Sequence, residues 1–289
     1  MYTTLISAAQ LRQLLDDHQP VLVMDCSFDL MNPAAGGQQF EAAHIPGAVH
    51  VDLDEHLSDK TGSDRASGGR HPLPSRETVA RRLQTLGLNP GQQVVAMDRQ
   101  GANYCGRLWW MLKWCGHEAV AVLDGGLAAW QAAGGAVAEG ASPAPHPGRF
   151  ELQPARAETL AAQDIARRLG QPDLTLVDAR GAARFRGEVE PLDPVAGHIP
   201  GARNRPFTEN IGPDGRFKPA TELRADFERL LAGRNPAAVV HHCGSGVSAI
   251  PNLLAMEIAG FGRTALFPGS WSEWCNTPGL PCARSQVPG

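Results

Sequence analysis

A five-residue string, HIPGA, occurs at 44–48 and again at 198–202, and an internal repeat restricts the folds open to a chain more than any composition does. The flanks extend the match. An apolar run ending in aspartate precedes each copy, VLVMD to Asp25 and LTLVD to Asp178. A second run follows each, VVAMD ending at Asp98 and AVVHHC ending at Cys243, and LDGGLAAW (123–130) is echoed by FPGSWSEW (267–274). Short apolar runs of this kind read as strands buried on both faces. AAQLRQLLDD (8–17), SRETVARRLQTLG (75–87), GRLWWMLKWCG (106–116) and ATELRADFERLLAG (220–233) carry helical spacing instead. Each half therefore alternates strand and helix, which predicts an α/β protein of two tandem domains, each a parallel sheet with helices on both faces. The stretch 132–150 is rich in Gly, Ala and Pro and has no periodicity. The expected domains are 1–140 and 156–289, joined by a linker at 141–155.

With 43% hydrophobic residues, 289 residues suffice for two real cores. A formal net charge of -4 argues against an extended basic surface for nucleic acid, and no run of about 18 apolar residues marks a membrane span. The opening MYTTLISAAQLRQLL lacks the basic, apolar and small-residue regions of a secretory signal, so a cytoplasmic location is expected. Six cysteines are then read as reduced thiols. No C-x-x-C pair and no zinc-ligand spacing of histidines occurs, so neither a metal nor a cofactor is expected.

The repeat exposes an asymmetry: at the end of the corresponding strand the first half has Asp98 and the second has Cys243. In CGSGVS (243–248) the cysteine opens a loop between a strand and a helix. Free N–H groups and the positive end of the helix dipole favour thiolate there. Gly244 and Gly246 let the backbone curl its N–H groups inward around an anion. A buried, inert cysteine beside a glycine-rich turn has the same local pattern, and the pattern alone does not separate the two readings. Cysteine-dependent phosphatases need H-C-x5-R; His242 and Cys243 start that match, but Ala249 stands where its arginine would be.

The doubled HIPGA, the CGSGVS loop answered by Asp98, DGGLAAW, GSWSEW and DARGAARFRGEVEP together resemble the two-domain rhodanese superfamily over nearly the whole chain, and CGSGV resembles its 3-mercaptopyruvate sulfurtransferases. The first domain then lacks the nucleophile and the second is catalytic. The resemblance implies that Cys243 takes sulfur from 3-mercaptopyruvate as a persulfide, releases pyruvate, and passes the sulfur to cyanide or to a thiol acceptor such as thioredoxin. It also implies a relay of Ser245, His71 and Asp54, contacts to sulfur from Gly244, Gly246, Val247 and Ser248, and a substrate-carboxylate arginine at Arg184. Asp54 as a cap, His71 as a solvated loop residue and Ser245 as a turn residue are the plain structural alternatives. A second arginine, found in relatives within a segment like EPR, has no counterpart in EVEPLDPVAGH, where Leu192 and Asp193 stand; Arg186 or Arg107 is the candidate to compensate. His44, His198, His241 and His242 are read as structural, and Trp271 and Trp274 as pocket wall or core. Thiosulfate:cyanide sulfurtransfer and a non-catalytic sulfur-relay or docking module are the competing functions.

Overall fold

A computed structural model describes residues 1–285. The chain divides into two compact units: Met1–Asp64, Pro74–Ala157 and Pro213–Phe217 form the first, and Arg65–Leu73, Glu158–Gly212 and Lys218 onward form the second. The segment Arg65–Leu73, which contains His71, thus belongs with the second unit although its chain neighbours on both sides belong to the first.

The first unit contains β1 (Leu5–Ile6), α1 (Ala8–Asp16), β2 (Val21–Asp25), α2 (Ala35–Ala42), β3 (Val49–His50), α3 (Arg76–Thr85), β4 (Gln93–Met97), α4 (Cys105–Trp114), β5 (Val120–Leu123) and α5 (Gly126–Ala132). Its sheet runs β1-β5-β4-β2-β3 and every pairing is parallel. The central strand β4 is covered on both faces, with Val94, Val95, Ala96 and Met97 all fully buried, as the unbroken apolar run requires.

The second unit contains α6 (Ala162–Arg168), β6 (Thr175–Asp178), α7 (Ala182–Arg186), β7 (Arg203–Asn204), α8 (Ala220–Leu231), β8 (Val239–His242), α9 (Ile250–Ile258), β9 (Ala265–Leu266) and α10 (Ser270–Trp274). Its sheet, β7-β6-β8-β9, is again wholly parallel, and a bridge from Thr159 to Leu266 marks the place that β1 fills in the first unit. Both sheets therefore share one strand order. In such sheets the loops leaving the carboxyl ends of central strands form the ligand edge, and those loops begin at Asp98 after β4 and at Cys243 after β8.

The repeat holds at the level of atoms. His44 Nδ1 lies 2.8 Å from Phe40 O with its ring stacked on Phe40, and His198 Nδ1 lies 2.8 Å from Phe185 O with its ring stacked on Phe185. Each backbone also bridges to a later segment, His44 to Ala138 and His198 to Ala283. Both HIPGA histidines thus pin the turn before an edge strand to the preceding helix.

Candidate active site

The loop 243–249 joins β8 to α9, whose first turn accepts Pro251 because an N–H there has no helical partner to lose. The start of α10 fixes the loop's backbone. Cys243 N–H donates to Ser270 Oγ at 3.1 Å, Trp271 N–H donates to Cys243 O at 3.0 Å, and Ser272 N–H donates to Gly244 O at 2.8 Å. At Gly246 the backbone has φ +74, and a Cβ would stand 2.1 Å from Pro268 O, so only glycine fits. Among the described residues, the amide groups of Gly244, Ser245, Val247 and Ser248 donate to no protein acceptor. Buried amides are almost always paired, so these groups are open to an acceptor from outside the chain.

The first unit shows what such a loop holds. After β4 the Asp98 carboxylate takes four backbone N–H groups: Gln100 and Ala102 donate to Oδ1 at 2.9 and 3.0 Å, and Tyr104 and Cys105 donate to Oδ2 at 2.8 and 2.9 Å. Asp98 is 4% exposed. In this copy of the loop the amides close on an anion supplied by the chain itself.

Beside Cys243, which is 1% exposed, the second unit collects several ionisable and hydroxyl groups. Ser245 Oγ lies 2.7 Å from His71 Nδ1, both side chains being buried. His71 is carried there by the segment 65–73, which α10 also grips: Gly68 N–H donates to Glu273 Oε2 at 3.0 Å and Arg70 N–H to Ser272 Oγ at 2.9 Å. A Cβ on Gly244 would meet Arg70 Nη2 at 3.1 Å and Arg184 Nη1 at 3.6 Å. Arg184 is oriented by Glu190, at 3.2 Å from Nε and 2.6 Å from Nη2. Asp193 reaches Arg70 Nη1 at 2.7 Å with one oxygen and Arg184 Nη2 at 3.4 Å with the other. Burial lifts the Asp193 carboxyl above its ordinary range even though Arg70 and Arg184 pull it down. Arg180 stacks over Trp271 at 4.8 Å and bonds Asp178 through Nε and Nη2. Burial opposes its charge, but Asp178, Glu190 and the Cys243 sulfur together hold it more firmly protonated than usual.

Burial disfavours the thiolate form of the other five cysteines. Burial pushes the Cys115 thiol up to about 12 and the Cys275 thiol to about 11, and raises Cys26, Cys105 and Cys282 as well. Among the described residues no group of three or more His, Cys, Asp or Glu side chains is placed to hold a metal ion.

The sequence-derived candidates sort as follows. Cys243, Gly244, Ser245, Gly246, Val247, Ser248, His71 and Arg184 share one unit, with Ser245 touching His71 and Arg184 adjoining Gly244. Arg186 is turned outward, its side chain 42% exposed and bonded to Glu188. Arg107 is buried in α4 of the first unit, with Nε donating to Leu57 O at 2.9 Å. Asp54 also lies in the first unit, 2.7 Å from Lys60; the capping carboxylate of that turn is Asp52, which accepts from the Asp54 and Glu55 amides. Trp271 and Trp274 are fully buried core, their indole N–H groups donating to Val195 O and Pro281 O. Burial lowers the affinity of both His241 and His242 for a proton, against the pull of Asp178 at His242, and pushes His241 down to about 3. Arg70 is the residue that sequence reasoning missed. Its one signal is adjacency to His71 in GGRHPLP.

A cysteine held in a strand-to-helix loop at the carboxyl edge of a parallel sheet, with an aspartate plugging the same loop of a second copy, defines a tandem α/β protein with one thiol-bearing loop and one carboxylate-filled loop. The chain belongs to the rhodanese family: the family model for the rhodanese-like domain matches residues 7–133 and 161–277. A probable 3-mercaptopyruvate sulfurtransferase of Pseudomonas aeruginosa is 46% identical over 280 residues, covering 96% of this chain and 97% of that one. A putative thiosulfate sulfurtransferase of Mycobacterium tuberculosis is 38% identical over 288 residues, covering 97% and 96%. The crystal structure of the 3-mercaptopyruvate sulfurtransferase of Escherichia coli superposes with a TM-score of 0.78 at 33% identity, covering 94% of this chain and 100% of that one. No helix among the described residues is long and apolar enough to cross a membrane.

Proposed function

We propose that this chain is a 3-mercaptopyruvate sulfurtransferase. The Cys243 thiolate attacks the donor sulfur and the carbon–sulfur bond breaks. Its electron pair leaves with the three-carbon fragment as the enolate of pyruvate, which takes up a proton to become pyruvate, and a persulfide remains on Cys243. Ser245 and His71, hydrogen-bonded at 2.7 Å, supply the proton path. The role of Asp54 as partner of the imidazolium rests on the family resemblance alone. The amides of Gly244, Ser245, Val247 and Ser248, with Gly246 shaping the turn, stabilise the anionic terminal sulfur, and Arg184 receives the donor's carboxylate. In the second half-reaction a thiol acceptor such as thioredoxin, or cyanide, removes the sulfur; a cytoplasmic setting and the division into a supporting domain (1–140), a linker and a catalytic domain (156–289) complete the proposal.

The observation that carries this reading is the contrast between the two loops: one closes its amides on the Asp98 carboxylate, while the other keeps amides without a protein acceptor next to a thiol. The test is mass spectrometry of the protein after donor treatment. The intact chain should gain 32 mass units, about one sulfur atom per chain, and Cys243→Ser should gain none; sulfur uptake by Cys243→Ser would remove the nucleophile. The thiosulfate relative makes thiosulfate the competing donor, and a strong preference for it in initial rates would overturn the choice of substrate. Arg186, bonded to Glu188 on the outside, is not needed in this scheme.

A further inference from the structure

His71 meets Ser245 at 2.7 Å, yet the chain on either side of its segment, up to Asp64 and again from Pro74, belongs to the first unit. The contacts that hold this histidine in place are therefore those that residues 65–73 make within the second unit. The segment is closed on itself: Ala66 N–H donates to Leu73 O at 2.7 Å, and Leu73 N–H donates to Ser67 Oγ at 2.9 Å. A loop tied at its neck is placed as one piece. Its backbone joins α10 at alternate residues, with Gly68 N–H donating to Glu273 Oε2 at 3.0 Å and Arg70 N–H to Ser272 Oγ at 2.9 Å. Between them Gly69 has φ +87, and a Cβ there would stand 2.6 Å from Gly269 O and 2.8 Å from Ser272 Oγ. Backbone thus presses on the first turn of the helix with no side chain in between.

The two acceptors are an expensive way to hold a loop. The Ser272 hydroxyl is buried and donates to Gly269 O at 3.3 Å, which leaves its lone pairs for Arg70 N–H. Glu273 is half-buried; among the described residues, Gly68 N–H is the one donor to its carboxylate and no cation pairs with it. Burial lifts this carboxyl above its ordinary range, and the Gly68 amide alone pulls it back. A charge set behind one neutral amide adds little to stability, because desolvation offsets the bond. What it does fix is where the segment lies. Proton transfer needs its groups within about 2.6–3.2 Å of each other, so a shift of about 1 Å at His71 breaks the contact with Ser245.

We propose that Ser272 and Glu273 are positioning residues of the sulfur-transfer reaction: by taking the amides of Arg70 and Gly68 they set the distance between His71 and Ser245. The inference rests on the sulfur-transfer reading above and extends it to two side chains outside both the cysteine loop and the Ser245–His71 pair.

Double-mutant cycles on the full chain, read as kcat at saturating 3-mercaptopyruvate with cyanide as acceptor, test it. Glu273→Ala and Ser272→Ala should each lower kcat about tenfold. Glu273→Gln, which keeps an oxygen for Gly68, should stay within about threefold of the wild type. In a His71→Ala background the same alanine substitutions should lower kcat by less than about twofold, because the group they act through is gone. Gly69→Ala disturbs the same contact from the other side, should follow the same pattern, and stands in if an alanine variant of α10 fails to fold. Equal losses in both backgrounds overturn the inference, since general damage would give them. An unchanged kcat in either alanine variant removes that residue, and Glu273→Gln as slow as Glu273→Ala removes the hydrogen bond to Gly68 as the cause. One readout needs no turnover: the ring 15N signals of His71, identified by their loss in His71→Ala, should move in Ser272→Ala and Glu273→Ala and hold in Glu273→Gln. Unmoved signals overturn the positioning role in an active or an inactive protein. A wild type that accepts sulfur from neither 3-mercaptopyruvate nor thiosulfate overturns the sulfurtransferase reading and, with it, the link to catalysis.

Discussion

Asp98→Asn is the sharpest perturbation of the idea that these loops are anion cradles. In the native first unit, Oδ1 accepts from Gln100 and Ala102 and Oδ2 accepts from Tyr104 and Cys105, all at 2.8–3.0 Å. Asparagine keeps one oxygen, and its amino group must face two N–H donors that then have no acceptor. Each hydrogen bond to a charged acceptor is worth about 1.5–3 kcal/mol net. Two are lost, and the desolvation cost of burying the carboxylate disappears with them, leaving an expected destabilisation of about 2–4 kcal/mol. Urea unfolding followed by tryptophan fluorescence reads this directly, since Trp109, Trp110, Trp114 and Trp130 are buried in the first unit. A second variant separates the cradle from generic damage. Asp98→Gly removes the carboxylate altogether, and added formate should restore stability in a dose-dependent way that chloride at equal ionic strength does not. A loss below about 0.5 kcal/mol in Asp98→Asn, within the range of ordinary surface substitutions, together with no formate effect in Asp98→Gly, would refute the reasoning.

Three further outcomes are expected. Ser245→Ala should lower kcat about a hundredfold while thermal unfolding stays near that of the wild type; an unchanged rate takes Ser245 out of the proton path. Gly246→Ala forces a side chain into φ +74 and to within 2.1 Å of Pro268 O, so it should cost about 1–3 kcal/mol and lower activity as the loop shifts, whereas a native-like melting curve and rate would show that the loop has room to give. His241 is pushed down to about 3 by burial, so the unfolded chain takes up a proton that the folded one refuses. Its stabilising effect is complete above about pH 6.5 and is lost as pH falls from there towards 3, by up to about 1.4 kcal/mol per pH unit. His241→Leu should therefore flatten the dependence of the urea midpoint on pH between 7 and 4.5, and an unaltered slope sinks the assignment.

The parts of this molecule that the sequence made legible are those written in local pattern. The apolar runs ending at Asp25, Asp98, Asp178 and Cys243 announce parallel strands because full burial leaves no polar alternation. The two HIPGA copies announce their equivalence because one histidine-on-aromatic contact is made twice. The matching of Asp98 with Cys243 follows from the same alignment. What stayed hidden depends on pairs far apart in the chain. Arg70 and Asp193 are 123 residues apart, and no periodicity links them, so Asp193 read as an arginine lost and Arg70 as nothing at all. Arg186 is a sequence candidate to compensate for the missing second arginine, yet two residues along a helix turn its side chain to the face opposite Arg184, and Glu188 holds it there. Trp271 and Trp274 read equally well as pocket wall or core, and only their buried indole bonds decide for core.

Helix α10 is five residues long, yet Ser270, Trp271 and Ser272 hold the backbone of the Cys243 loop, while Ser272 and Glu273 hold the segment bearing Arg70 and His71. The Cys243 loop and the segment carrying Arg70 and His71 thus hang from one peg. Drift in that peg shifts both in concert, so their mutual spacing is shielded from movements elsewhere in the sheet, and residue 272 serves each by a different part: its backbone N–H holds Gly244 O while its hydroxyl holds Arg70 N–H.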